Sequence, residues 1–512
     1  MSVKYLKIIS LIAVICCVGL LIFVSGERRI KPLTKYVNLN TDNLPAAVKS
    51  PDASWPFGVV QCGPDFGKHK PVRTYQTRGP VYGFGHLRPY CSRTLPHADV
   101  RLLPISGALK RDNSSMRRNE RAAPGYYGVD LDSQQVHVDI TVSPFSAMHR
   151  YSFPADRPAH VLIDVFSSST DELSLTELKI LSSKSAAGVV SLKNSLTDSV
   201  QQIFFFVQFS RTSVQSGLQY VTLDAERRTG QAFFSFDTLK KPLICKIGFS
   251  FNSINQAEMK IQNELQSRSF EYQMLQAHQT WNNVLNRIVV KDGLDQKKVL
   301  FYNALYCALS VPLEAMHEYP AFTEPYLNSK EMTGALLRLI APDYFPDNCT
   351  IRKVDQYSAL QRFRNKLSEM TENQVLSVLN DSLLFLENDS LIHIPYAFYS
   401  QDKPEATYQL VCSILEQFFA DGNQISIQNA GTQTCAWLVW QMLGLYPIDA
   451  DHFLVQPSAF ADIRIHHKSA TLIINAASRH APIHNIFLNE TQLAQPLISS
   501  RQLEVGGHLI LE

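Results

Sequence analysis

The chain is short of surplus charge: 48 Lys and Arg stand against 46 Asp and Glu, a net of +2 over 512 residues. A general nucleic-acid surface needs a basic stripe, so that class of partner is excluded. Cysteine is scarce, at nine, and no CxxC pair occurs, which excludes the common structural zinc frameworks. Cys16 and Cys17 lie in an apolar N-terminal run without a lipobox around them. The remaining cysteines, Cys62, Cys91, Cys245, Cys307, Cys349, Cys412 and Cys435, are odd in number and mostly sit in apolar surroundings. They read as buried thiols in preference to a disulfide framework. No internal repeat or low-complexity tract stands out. Apolar content of 45% and charged content of 18% are ordinary globular usage and leave little room for long disordered tails.

What is present begins with a targeting segment. Lys4 and Lys7 precede a mostly apolar run from Ile8 to Val24, followed by Ser25-Gly26 and then Glu27-Arg28-Arg29. This length is at the short end of a membrane span and the long end of a signal-peptide core. The protein is expected to be exported, to the periplasm, the outside or a membrane surface. Cleavage and retention as an anchor are both open, and any membrane contact runs through residues 1–26 alone. Arg117, Arg118 and Arg121 form one short basic cluster, read as a solvated loop. The sequons Asn113-Ser114-Ser115 and Asn489-Glu490-Thr491 matter only in a eukaryotic secretory pathway.

A chain of 512 residues exceeds one ordinary core, so two or three domains are expected. From about Tyr36 to Lys241 short alternating runs are broken by Gly, Pro, Asn and Asp. Examples are Val136 to Phe153, His160 to Ser168, Gln202 to Ser210 and Gln231 to Thr238. Period-two alternation at this spacing predicts a large β-sandwich over 36–245. Ala257 to Asn286 has no Gly or Pro, and Ile261, Leu265, Tyr272, Leu275 and Trp281 fit one helical face. With a second helix over Gln296 to Leu313, this predicts linker helices over 255–313. Most runs from 314 to 447 are helical, separated by short polar loops as in paired antiparallel helices. After Tyr446-Pro447 alternation returns, predicting a small β unit over 448–512. The fold class is therefore α+β and multidomain.

The order of motifs resembles glycoside hydrolase family 92, the calcium-dependent exo-α-mannosidases. WPFGVVQCGPD (Trp55 to Asp65) is similar to the family's PFGM-x-x-x-x-PD segment, and GFGH (Gly83 to His86) to its GFSH. DITVSPFSAMHRYSFP (Asp139 to Pro154) resembles ELTATxRxxxHRYTFP. FYNALYCALSVP (Phe301 to Pro312), AWLVWQMLGLYPI (Ala436 to Ile448) and GGHLIL (Gly506 to Leu511) resemble later family segments. The resemblance implies an N-terminal β-supersandwich and a C-terminal α/α barrel with the site between them. It also implies an inverting mechanism, which needs two carboxyls spaced to admit a water, and calcium, which needs hard oxygen ligands. The partner it implies is a mannose-containing glycan or polysaccharide.

Several positions depart from that pattern. The family's metal-side segment, NEPxHHIPYLYN, aligns with Asn388, Asp389, Ser390, Leu391, Ile392 and His393. The resemblance makes Asn388 and Asp389 the candidate Ca²⁺ ligands, and His393 a candidate sugar contact. The base-bearing segment, GNDDCGQMSAW, aligns with Ile427 to Trp437, so its two carboxylates map to Asn429 and Ala430. Neither can deprotonate a water, and general-base catalysis typically contributes about 10²–10⁴-fold. Gln433 keeps the family's Gln as a candidate sugar contact. His86 survives from the family's HLSG motif as another, and the Arg of TATxR maps to Phe145. The segment from Pro312 to Asn388 is shorter than in the family and carries no counterpart of its general-acid motif, so a truncated α/α-barrel-like unit is expected, either without hydrolysis and serving at most as a carbohydrate-binding or scaffold protein, or as a residual calcium-dependent α-mannosidase using substitute carboxylates.

Overall fold

The computed structural model describes residues 30–39, 51–68, 75–76, 78–87, 99–110, 112–166, 177–193, 200–224, 227–291, 294–318, 331–344, 391–398, 403–419, 432–448, 451–477 and 483–512. The alternating N-terminal runs form two facing sheets. One has seven strands, in spatial order Ala53–Ser54, Gln61–Asp65, Gly83–Gly85, Asp99–Ser106, Ala159–Phe166, Arg227–Phe236 and Gln215–Asp224. The other has eight: Glu177–Ser182, Ser185–Lys193, Val200–Phe209, Leu243–Ser250, Ser146–Ser152, Val136–Val142, Tyr126–Leu131 and Arg117–Ala123. Side chains on one face of a strand recur every second residue. Val136, Val138, Ile140 and Val142 thus enter the core between the sheets, where they meet Val161, Ile163 and Val165.

The basic cluster is not a loop. Arg117, Arg118 and Arg121 lie on the edge strand Arg117–Ala123. The Arg117 guanidinium packs over the rings of Phe66 and Tyr75, at 4.7 Å and 4.9 Å, and pairs with Glu120 at 3.1 Å.

The eight-stranded sheet is covered on its outer face by the linker. Helix α1 (Ile254–Leu265) and helix α2 (Phe270–Leu285) replace the single helix expected over 257–286. The break falls at Ser269, whose hydroxyl accepts the Tyr272 N–H and so starts a new helix. Such a cap is worth about 1 kcal/mol. It also resets the helical phase. Ile261, Leu265 and Trp281 are buried as expected, but Tyr272 and Leu275 are half exposed. Phe270, Gln273, Ala277 and Leu285 take the inward face of α2 in their place.

Beyond the linker come α3 (Asp295–Leu309), the short α4 (Ala315–Glu318), α5 (Glu331–Ile340), α6 (Pro404–Phe419) and α7 (Thr432–Leu443). Every residue of α7 from Gln433 to Leu443 is buried. A helix buried all round is a core helix, and α7 packs against both α3 and α5. The number of helix pairs in this unit turns on residues 319–330, 345–390 and 420–431, which lie outside the described ones.

The C-terminal strands form a six-stranded and a three-stranded sheet. They also recruit chain from earlier segments. Ile288–Val290, just after α2, pairs with Asp462–His467, and Leu445–Pro447, just after α7, pairs with His452–Val455. Helix α8 (Ser500–Val505) is closed at its start by a capping box of Ser499 and Gln502. Among the described residues no helix is long and apolar enough to cross a membrane.

Candidate functional site

The sandwich meets the helical unit at the turn following Ala53–Ser54. Phe57 holds a positive φ of 64°, which is uncommon for a residue with a bulky side chain. Its ring enters the helical core and tilts against Tyr344, with centroids 5.4 Å apart. Its carbonyl accepts the Glu314 N–H at 3.0 Å, and Glu314 in turn accepts the Tyr344 hydroxyl at 2.6 Å. Ser54 completes the seam. Its carbonyl accepts Trp281 Nε1–H at 2.7 Å, and its hydroxyl lies 2.6 Å from that of Tyr306. The Pro56-Phe57-Gly58 motif therefore holds the two units together.

Two further carboxylates sit at this junction, both tied to backbone. Glu264 on α1 accepts the Ser143 hydroxyl at 2.6 Å and the Phe145 N–H at 3.1 Å. Burial pushes its carboxyl above the usual carboxylate range, and those hydrogen bonds oppose the shift only in part. Glu318 accepts the Ser250 hydroxyl and the Phe251 N–H, each at 3.0 Å, and pairs with Lys260 at 2.6 Å. The Lys260 ammonium lies 3.5 Å from the centre of the Phe145 ring. A cation thus stands over the position that the family resemblance assigns to Arg.

In the helical unit, the residues that follow the expected metal ligands form a 3₁₀ turn over Leu391–Ala397. His393 is buried, with Nδ1 2.8 Å from the Tyr446 hydroxyl. Tyr396 stacks on Tyr446 at an interplanar angle of 10° and donates its hydroxyl to Gln441 Oε1, which also accepts Gln456 Nε2–H at 2.6 Å. The network is buried, and burial pushes the Tyr396 phenol far above its ordinary value. Gln433 points across the core to α5, where its Oε1 accepts the Thr333 N–H at 3.2 Å. It satisfies one of the backbone donors that every helix leaves unpaired in its first turn. Trp440 Nε1–H likewise donates to Met332 O at 3.1 Å. Asn388, Asp389, Asn429 and Ala430 lie outside the described residues.

His86 sits elsewhere, in the sandwich core with no exposed surface. Its Nδ1 is 2.6 Å from the Val100 carbonyl and its Nε2 is 2.9 Å from His149 Nε2. A carbonyl only accepts, so Nδ1 carries the proton and Nε2 presents a lone pair. His149 Nδ1 is 3.0 Å from the Tyr151 hydroxyl, and its Nε2 is 3.7 Å from Cys62 Sγ. Burial, with the neighbouring His86 as a lesser cause, holds the His149 imidazole well below its ordinary pKa, so the ring is neutral. Cys62, Cys245, Cys307 and Cys435 are buried thiols, and Cys412 is a partly buried one. The sequence reading singled out His86 as a sugar contact and missed its partners, although His149 lies within the HRY motif and Cys62 between Phe57 and Asp65.

The described chain is thus a double-sheet sandwich locked by an aromatic turn onto a helix-rich unit. The N-terminal domain of glycosyl hydrolase family 92 matches residues 36–250, and the catalytic domain of that family matches residues 256–336 and 354–512. The chain belongs to glycosyl hydrolase family 92. Its fold is similar to that of the family GH92 inverting mannosidase BT2199 from Bacteroides thetaiotaomicron, at a TM-score of 0.67 and 14% identity, covering 95% of this chain and 97% of that one. It is similar also to the family GH92 α-mannosidase BT3965 of the same organism, at 0.68 and 14%, covering 94% of each chain. That second enzyme is known too in complex with mannoimidazole. Among curated proteins none matches this chain.

Proposed function

We propose that this family-92 chain is an exported protein that does not hydrolyse glycosides and acts at most as a carbohydrate-binding or scaffold protein for mannose-containing glycans. The observation that carries this reading is the pair Asn429-Ala430, an amide and a methyl where the family segment has two acids. Losing a general base typically removes a factor of about 10²–10⁴ in rate. The structure supports it on both sides of the seam. Glu264, Glu314 and Glu318 accept hydrogen bonds that hold segments in place. Gln433 closes a helix start, and His86 is sealed in the sandwich.

Calcium asks for oxygen donors. Asn388 and Asp389 supply that chemistry and would hold the ion if it binds; bound there, it would orient sugar hydroxyls. The cluster of three metal-capable groups among the described residues, Cys62, His86 and His149, offers sulfur and nitrogen and does not suit calcium.

The test is mannose release from α-mannosides by the full chain, with and without calcium, alongside binding to a mannoside panel. Binding without release is the expected result. Calcium-dependent turnover that Asp389→Ala abolishes would overturn the proposal and establish a residual α-mannosidase.

A further inference from the structure

We propose that Cys62, His86 and His149 form a buried site for a thiophilic d¹⁰ cation, copper(I) or zinc(II), taken up as the sandwich folds. The three residues come from separate strands. Cys62 is on Gln61–Asp65, His86 follows Gly83–Gly85, and His149 is on Ser146–Ser152 of the facing sheet. Their ligand atoms lie within 4.8 Å of one another, and all three residues are buried.

Both imidazoles are oriented from behind. His86 Nδ1–H is held by the Val100 carbonyl, and His149 Nδ1 faces the Tyr151 hydroxyl. The two Nε2 atoms face each other at 2.9 Å, with the Cys62 thiol 3.7 Å from that of His149. Histidine ligands are ordinarily fixed in this way through the ring nitrogen that does not bind the metal. The backbone that carries His86 is pinned as well. Asp99 Oδ1 accepts the N–H groups of His86, Leu87 and Val100, at 2.8, 2.9 and 2.8 Å.

The spacing is within reach of a small soft ion. Bonds of about 2.0–2.1 Å to nitrogen and about 2.3 Å to sulfur set neighbouring ligand atoms roughly 3.4–3.8 Å apart. The separation of 3.7 Å between Cys62 Sγ and His149 Nε2 already fits. The two Nε2 atoms, 2.9 Å apart, must open by about half an ångström, a small rotation of two rings.

Without metal, one proton chain satisfies the cluster. Tyr151 donates to His149 Nδ1, and His149 Nε2–H donates to His86 Nε2. With metal, the His149 proton moves to Nδ1 and is accepted by Tyr151. Cys62 becomes a thiolate, so one proton leaves for each ion bound. A thiolate and two neutral rings cancel the charge of copper(I) completely but leave zinc(II) with one positive charge in a dry core. Burying an uncompensated charge is costly, and three ligands complete copper(I) while zinc ordinarily takes four. Copper(I) is therefore the favoured occupant. Because the site has no exposed surface, loading must accompany folding.

The test uses the full chain, produced in separate cultures enriched in copper or zinc, treated with chelator, and analysed for metal by mass spectrometry. Close to one ion per chain is expected, falling about tenfold or more in Cys62→Ser. Cys245→Ser, a buried thiol outside the cluster, should leave the metal content unchanged. Copper retained in preference to zinc supports the charge argument, and the reverse outcome assigns the site to zinc. Should Cys62→Ser fail to fold, Tyr151→Phe decides. It keeps all three ligands and is expected to loosen the metal about 10–100-fold. No bound metal in the wild type, or equal metal in Cys62→Ser with an unchanged circular dichroism spectrum, overturns the proposal.

Discussion

Removing the Asp99 carboxylate is expected to cost about as much stability as truncating a large core side chain. Asp99 is buried, and one of its oxygens accepts three backbone N–H groups. Two of them, from His86 and Leu87, belong to the segment that follows the three-residue strand Gly83–Gly85, where the His86 carbonyl accepts the Gln61 N–H at 3.1 Å. Asp99→Ala strands those donors in a dry core, at about 1–3 kcal/mol for each unsatisfied group. The long-range pair alone then costs about 2–6 kcal/mol, against total stabilities of about 5–15 kcal/mol for most domains. Asp99→Asn keeps an acceptor oxygen in place and loses only the charge assistance, so it should cost about 1–2 kcal/mol. The assay is urea unfolding followed by the β-sheet circular dichroism signal. With a slope near 3 kcal/mol/M, Asp99→Ala should lower the midpoint by roughly 0.7–2 M and Asp99→Asn by well under 1 M. Equal, small shifts for both variants would show that the three N–H groups find other partners and would refute the reasoning.

Two further outcomes follow from the seam and the helical core. Gln433→Ala removes the acceptor of the buried Thr333 N–H, so thermal stability should fall by about 1–3 kcal/mol while mannoside binding is unchanged. Intact stability with lost binding would return Gln433 to the ligand-contacting role assigned from sequence. Glu264 has its folded pKa raised by burial, so its stabilising contribution is full below the ordinary glutamate value and is lost as pH rises through the folded one. Between those two values the wild type should lose stability that Glu264→Gln retains. Unfolding midpoints recorded across mildly acidic to neutral pH test this, and parallel profiles for the two proteins would contradict it.

Strands were legible in the sequence because alternation is set by two-sided geometry that does not depend on distant partners. Gln202 to Ser210 and Gln231 to Thr238 lie within Val200–Phe209 and Arg227–Phe236 except for the last one or two residues of each run. Val136 to Phe153 proved to be a hairpin, broken at Pro144-Phe145. The linker break was harder to see. No Gly or Pro marks it, and its signal is a serine two residues before Glu271, easily read as part of a polar helix face. Strand Ile288–Val290 was missed because three apolar residues carry no period, and their partner, Ile463–Ile465, is more than 170 positions away. At the candidate site, motif matching located His86 and Gln433 but not their surroundings. Burial and hydrogen-bond partners are tertiary properties, and they decide whether a polar residue meets a ligand or another part of its own chain.

The 3₁₀ turn Leu33–Tyr36, near the start of the described residues, packs against α2 and α3. Lys31 and Asn286 exchange two hydrogen bonds, and Asn282 accepts the N–H groups of Leu33 and Thr34, so the chain is moored to α2 almost as soon as the apolar run ends. The first described residues of the chain and the C-terminal end of α2 are thus held as one piece, and fraying of either is expected to release the other.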